Sequence, residues 1–267
     1  MQKIMENNKN FLKIGNKIAF KPIIEGLEYE LESGKVYTVD IDRYSDEITF
    51  VIAPDLVMPE KLYETEDSSR FVNKVLNQFN KSTDATTGVM LSGLKGSGKT
   101  ITAKNIALKS NLPIILIDKS FRPSMLVKLF NKLTNTPVCV LFDEVDKLGE
   151  DYDDDYLLKI LDGANTSGKK LVICTCNESD DINEYLKDRC SRIRYWKEFD
   201  ELSPSLIQEI LKDRLNDKKE VGALTDFILS NFACISFDNI VSFVDEVNEY
   251  PTISFEELFA DMNLSSK

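Results

Sequence analysis

The residues best suited to chemistry run from Gly93 to Thr100, Gly-Leu-Lys-Gly-Ser-Gly-Lys-Thr, with the spacing G-x-x-x-x-G-K-T. That spacing is a P-loop, which holds the phosphates of a nucleoside triphosphate. Gly93, Gly96 and Gly98 have no Cβ, so successive backbone N–H groups can turn inward on an anion. Lys99 can reach the β- and γ-phosphates, and the Thr100 hydroxyl can bind Mg2+. The expected nucleotide-binding residues are Gly93, Gly96, Ser97, Gly98, Lys99, Thr100 and Ile101. Further along, Asp143 and Glu144 end the apolar run Val138–Phe142. An aspartate there can hold Mg2+ through water, and the glutamate beside it can polarise an attacking water. The pair supplies what ATP hydrolysis still needs, with ATP and Mg2+ as the expected ligands and Thr100 and Asp143 as the metal-holding residues.

Such a loop works only between a strand and a helix. Thr87–Leu91 reads as a short buried strand and Ile101–Ser110 as a helix whose positive end adds to the field on the phosphates. Strand and helix signals then alternate. Leu112–Ile117, Val138–Phe142, Leu171–Cys176 and Ile193–Phe199 read as strands, with helices over Ser124–Leu133 and around Tyr156–Leu161. Continuous apolar strands joined by helices imply a parallel α/β sheet. Upstream, Lys17–Phe20, Gly34–Asp40 and Glu47–Ile52 read as short strands separated by turns, a small antiparallel β domain over residues 1–60. An amphipathic helix is expected within Tyr63–Phe79. Beyond residue 200 only helices are expected. Ser203-Pro204 is an N-cap followed by proline, and Ser254-x-x-Glu257 is a capping box. The expected division is therefore a β-rich segment 1–60, an α/β core 61–200 and a helical segment 201–267.

Composition narrows the function classes. The chain has 267 residues, long enough for more than one domain, and its 42% hydrophobic content is that of a globular protein. It has no histidine, which removes histidine general bases and histidine metal ligands. The net charge of −12 disfavours a surface built to hold nucleic acid or anionic lipid. Five cysteines form no CxxC pair, and three of them (Cys139, Cys174 and Cys176) lie in apolar strands, as reduced core thiols do. The polar N-terminal ten residues resemble no signal peptide and no run approaches bilayer length, so the expected location is cytoplasmic, with no membrane partner. The acidic run Glu150–Asp155 precedes the Tyr156 helix, where the helix dipole favours carboxylates, so it does not by itself read as a metal site.

Phe142-Asp143-Glu144-Val145-Asp146-Lys147-Leu148 resembles the Walker B segment of AAA+ ATPases. Leu157-Leu158 with Leu161-Asp162-Gly163 resembles the following helix of the classical AAA group, and Thr175-Cys176-Asn177 its sensor 1 strand end. Leu186–Arg192 resembles the end of that group's second region of homology, and residues 201–267 match its lid in place and size. The compact layout is also similar to AAA proteins of bacteriophages. The resemblance implies that Asn177 orients the attacking water beside Glu144. It places Arg189 and Arg192 at arginine-finger positions, with Arg194 as a spare, and such fingers act on a neighbouring subunit. It therefore implies a homo-oligomer, a hexameric ring, that remodels or assembles a macromolecular partner, most simply a protein recognised through residues 1–60. Two departures stand out. The expected sensor 2 stretch Cys234–Asn239 has no arginine, and Lys119–Asn135 has no glycine for an aromatic-hydrophobic-glycine pore loop, Phe121 being its one candidate aromatic. The alternatives are a DNA-linked ATPase of the clamp-loader or helicase-loader kind, which the net charge disfavours, and an ATP-gated scaffold with little translocation.

Overall fold

The fold is seen in a computed structural model. It describes residues 11–14, 16–20, 30–42, 47–63, 66–83, 85–117, 121, 125–147, 161, 168–177 and 193–267. The chain forms two compact units. The first comprises Met1–Met58, Phe71–Ser92 and Thr100–Lys197, and the second Pro59–Arg70, Gly93–Lys99 and Glu198–Lys267.

Among the described residues, the first unit is built on one sheet of nine strands. In chain order they are β1 (Phe11–Ile14), β2 (Lys17–Phe20), β3 (Val36–Ile41), β4 (Ile48–Ile52), β5 (Thr86–Gly93), β6 (Ile114–Ile117), β7 (Val138–Phe142), β8 (Lys170–Thr175) and β9 (Ile193–Phe199). Their spatial order is β1-β2-β4-β3-β6-β7-β8-β5-β9. Strands β6, β7, β8 and β5 pair in parallel, with Phe142 opposite Cys174 and Leu91 opposite Thr175. Every residue of β7 and β8 is buried, as strands covered on both faces must be. The parallel α/β core expected from the apolar runs is therefore present. Parallel strands end at the same edge, which leaves the C-terminal tips of β5, β7 and β8 side by side.

The upstream strands are antiparallel to one another, β1 with β2, β2 with β4 and β4 with β3. They do not close on themselves. Strand β3 pairs in parallel with β6, Val36 opposite Ile114 and Thr38 opposite Leu116, so the sheet runs on across the boundary expected near residue 60. The core follows it: Ile18, Tyr37, Ile48 and Phe50 belong to the same buried cluster as Ile115, Val140 and Val172.

Helices α1 (Glu66–Lys81), α2 (Lys99–Lys109) and α3 (Leu126–Lys132) fall on the helical periodicity of the sequence. Helix α1 buries Val72, Val75 and Phe79, three residues of one face. The helix expected around Tyr156–Leu161 lies outside the described residues apart from Leu161, which is buried.

The second unit is helical: α4 (Pro204–Arg214), α5 (Val221–Asn231), α6 (Phe237–Glu249) and α7 (Phe255–Asp261). The caps form as their residue types dictate. Ser203 accepts from Leu206 N–H ahead of Pro204, Ser236 from Asn239 N–H and Ser254 from Glu257 N–H. Ile207, Ile210, Leu224, Ile228 and Phe243 are fully buried in its core, and Phe243 packs against the rings of Phe227, Phe232 and Phe259. The stretch Pro59–Arg70 is held to this unit by Lys61, which pairs with Asp213 and Glu209, and by Tyr63, whose ring lies 5.5 Å from that of Phe237. The Lys61–Asp213 hydrogen bond raises the lysine and lowers the carboxyl from their ordinary values. None of the described helices is long and apolar enough to cross a membrane.

Phe243→Ala should destabilise the helical unit by about 3–5 kcal/mol, the usual cost of emptying a buried aromatic site. Urea denaturation followed by far-UV circular dichroism measures it, and a loss below about 1 kcal/mol would contradict this packing.

Candidate nucleotide-binding site

The glycine loop is shaped by its contacts within the helical unit. Leu94 N–H donates to Phe199 O at 3.0 Å, tying the end of β5 to the end of β9. Gly93 has φ of 117°, and a Cβ there would fall 2.1 Å from Phe199 O, so no other residue fits without displacing the backbone. Gly96, with φ of 72°, accepts a hydrogen bond at 3.0 Å from Phe237 N–H, the first residue of α6. A Cβ at Gly96 would press on the Ser236 side chain at 3.0 Å. The loop and the start of α6 are thus in direct backbone contact, within the stretch Cys234–Asn239 that has no arginine.

Lys99 is 5% exposed, and its ammonium donates to Gly93 O at 2.7 Å and to Leu94 O at 2.6 Å. Ser97 Oγ also donates to Leu94 O, at 2.6 Å. The loop therefore holds a buried cation against its own carbonyls. Phosphate oxygens make stronger, charge-assisted partners for that ammonium than neutral carbonyls do.

In the first unit, the tips of β7 and β8 assemble a connected polar group. Thr100, the residue after Lys99, donates from Oγ1 to Asp143 Oδ1 at 3.3 Å. Thr175 Oγ1 donates to the same Oδ1 at 2.8 Å and accepts from Glu144 N–H at 2.8 Å. Asn177 Nδ2 donates to Glu144 Oε1 at 2.9 Å, and Lys147 Nζ meets that oxygen at 2.8 Å. The hydrogen bond to Glu144 raises the Lys147 ammonium above its ordinary value, against desolvation, with the charges of Glu144, Asp146 and Asp143 adding to the rise. Glu144 has φ of 54°, the left-handed region that L residues enter at a cost. Such conformations cluster where function over-determines the backbone.

Thr100, Asp143, Glu144 and Asn177 are therefore brought together as their sequence positions suggest. Thr100 and Asp143 offer the hard oxygen donors that Mg2+ takes alongside phosphate oxygens. Arg189 and Arg192 lie outside the described residues, as does the acidic run Glu150–Asp155. Arg194 is exposed on β9. Phe121 is buried and belongs to the same core cluster as Met125 and Leu126. Burial pushes the Cys139 and Cys174 thiols well above their ordinary value, which leaves them unreactive.

Two members of the group escape a reading of the sequence. Thr175 reads as one more residue of a buried strand. Lys147 is only one residue of the Walker B-like run in sequence, because its approach to Glu144 depends on the 3-10 turn Val145–Lys147 that the left-handed Glu144 begins.

Residues 89–198 match the model of the ATPase family associated with various cellular activities (AAA). Among curated proteins, the chain is 30% identical over 121 residues to an ATP-dependent zinc metalloprotease FtsH of Malacoplasma penetrans, and 29% identical over 119 residues to an ATPase family gene 2 protein of Schizosaccharomyces pombe. These matches take in 37% and 38% of this chain but only 15% of each relative. Among solved structures, one described under "Structural Basis for Katanin Self-Assembly" superposes with a TM-score of 0.53 at 17% identity, covering 75% of this chain and 74% of that one. At that identity the likeness is one of fold.

Gly93→Ala should cost about 1–3 kcal/mol from backbone strain alone. Thermal denaturation of the variant checks this, and an unchanged melting temperature would contradict the close approach to Phe199.

Proposed function

We infer, from a chain whose residues 89–198 match the model of the AAA family of ATPases, an enzyme that binds ATP with Mg2+ and hydrolyses it. The observation that carries this reading is the Glu144 carboxylate, held by Asn177 and Lys147 one residue from an aspartate bonded to Thr100. Lys99 and the loop amides bind the triphosphate. Mg2+, held through Thr100 and Asp143, would offset the charge that develops on the phosphate oxygens. Glu144 takes the proton of the attacking water, and Asn177 fixes the carboxylate that receives it. A left-handed backbone with three further hydrogen-bonded groups around it keeps that carboxylate in one orientation, and pre-positioned groups lower a barrier without reorganising during the reaction.

The working unit on this reading is a homo-oligomeric ring, six subunits by resemblance, in which Arg189 or Arg192 of one subunit serves the site of the next. Its task is to remodel or assemble a protein partner recognised by residues 1–60, in the cytoplasm, where buried reduced cysteines are at home. The zinc protease activity in one relative's name does not extend to this reading, since this chain has no histidine. A second reading, an ATP-gated scaffold that threads no polypeptide, is favoured by the burial of Phe121.

Lys99→Ala should abolish ATP binding, whereas Glu144→Gln should bind ATP and lose turnover by about a hundredfold or more. Equilibrium binding of a fluorescent ATP analogue and a phosphate-release assay separate the two. Equal turnover in wild type and Glu144→Gln would remove Glu144 as the base. Arg189→Ala or Arg192→Ala should lower turnover by about 10³-fold with affinity nearly unchanged. Sedimentation of Glu144→Gln with ATP should show a ring, and a monomer that stays fully active at every dilution would exclude the trans arginine.

A further inference from the structure

Thr175 ends β8, fully buried, two residues before Asn177. Its hydroxyl has a single proton, which goes to Asp143 Oδ1 at 2.8 Å, and its lone pair accepts Glu144 N–H at 2.8 Å. One side chain on β8 thus grips both consecutive acids at the end of β7. The second grip falls on the amide of a residue with φ of 54°. A left-handed glutamate relaxes toward ordinary backbone unless something holds it. The β7–β8 ladder ends at Phe142 and Cys174, and just beyond it the Thr175 hydroxyl accepts the Glu144 amide. Valine has the same shape as threonine and would leave that amide without this acceptor and Asp143 without this donor.

We propose that Thr175 is a positioning residue for ATP hydrolysis: its hydroxyl locks the Glu144 backbone and the Asp143 carboxylate into one arrangement, so that Glu144 faces Asn177 and Asp143 faces Thr100. This rests on the reading of Glu144 as the base for water attack. Thr175 is fully buried and its hydroxyl is engaged by the two acids. Its influence passes through the acids, so it acts on turnover and leaves the loop that binds the triphosphate alone.

The test compares Thr175→Val and Thr175→Ser in the 267-residue chain, measuring kcat by phosphate release and ATP affinity by equilibrium binding of a fluorescent analogue. Loss of a hydrogen bond to a charged group predicts a fall in kcat of about 10- to 100-fold for Thr175→Val, with affinity within about twofold of wild type. Thr175→Ser keeps the hydroxyl and should stay within about threefold of wild-type kcat. If Thr175→Val does not fold, Thr175→Cys, close in volume with only a weak thiol donor, replaces it in the comparison. Wild-type turnover in Thr175→Val would overturn the proposal. So would a fall in affinity parallel to the fall in kcat, or a serine variant as slow as the valine. Wild-type protein without ATP turnover would instead overturn the hydrolysis reading beneath it.

Discussion

Parallel pairing of β7 and β8 is the constraint on which the site depends. Both strands are buried along their whole length, so their only polar outlets are their tips. The register places Phe142 opposite Cys174, and the next residues on each strand are then Asp143 and Thr175. Everything chemical in the first unit follows from that one-residue step. The aspartate meets the threonine hydroxyl, the glutamate amide meets the same hydroxyl, and Asn177 arrives within reach of the Glu144 carboxylate. A shift of one residue in this register would turn each of these side chains to the other face of the sheet.

The glycine loop is constrained differently. Its conformation is set by close backbone contacts with Phe199 and Phe237, both in the helical unit. Gly96 O and Phe237 N–H join the loop to the first turn of α6 without any side chain between them. This main-chain contact falls in the stretch Cys234–Asn239, which has no arginine. Within the first unit, Thr100 donates to Asp143 and so joins the start of α2 to the acid cluster.

Much of this was legible from residue types. The P-loop spacing, the acids at the end of an apolar strand and the asparagine at the end of the next are local patterns, and each lies where its pattern says. The caps at Ser203 and Ser254 are equally local and equally well marked. What could not be read depends on contacts between distant parts of the chain. The alternation in Val36–Ile41 marks a strand but does not name its partner, so its pairing with β6 and the single nine-stranded sheet emerge only in three dimensions. Thr175 is marked in sequence only as part of the strand end before Asn177, since its hold on Asp143 and Glu144 depends on their lying beside it past the end of the ladder. Lys147 reaches Glu144 because of a backbone angle at Glu144 that no residue preference foretells. The helical unit likewise gathers Pro59–Arg70 and Gly93–Lys99 from elsewhere in the chain through contacts such as Tyr63 with Phe237.

The central claim is that Asn177 acts through the Glu144 carboxylate, and a double-mutant cycle tests it most directly. Single-turnover hydrolysis of ATP would be measured for wild type, Glu144→Gln, Asn177→Ala and the double variant, over times long enough to read residual rates. Groups that work as one unit are strongly non-additive. The account predicts that Asn177→Ala slows the wild-type chain by about tenfold or more and adds little once Glu144 is glutamine. Independent, multiplying losses in the double variant would contradict it.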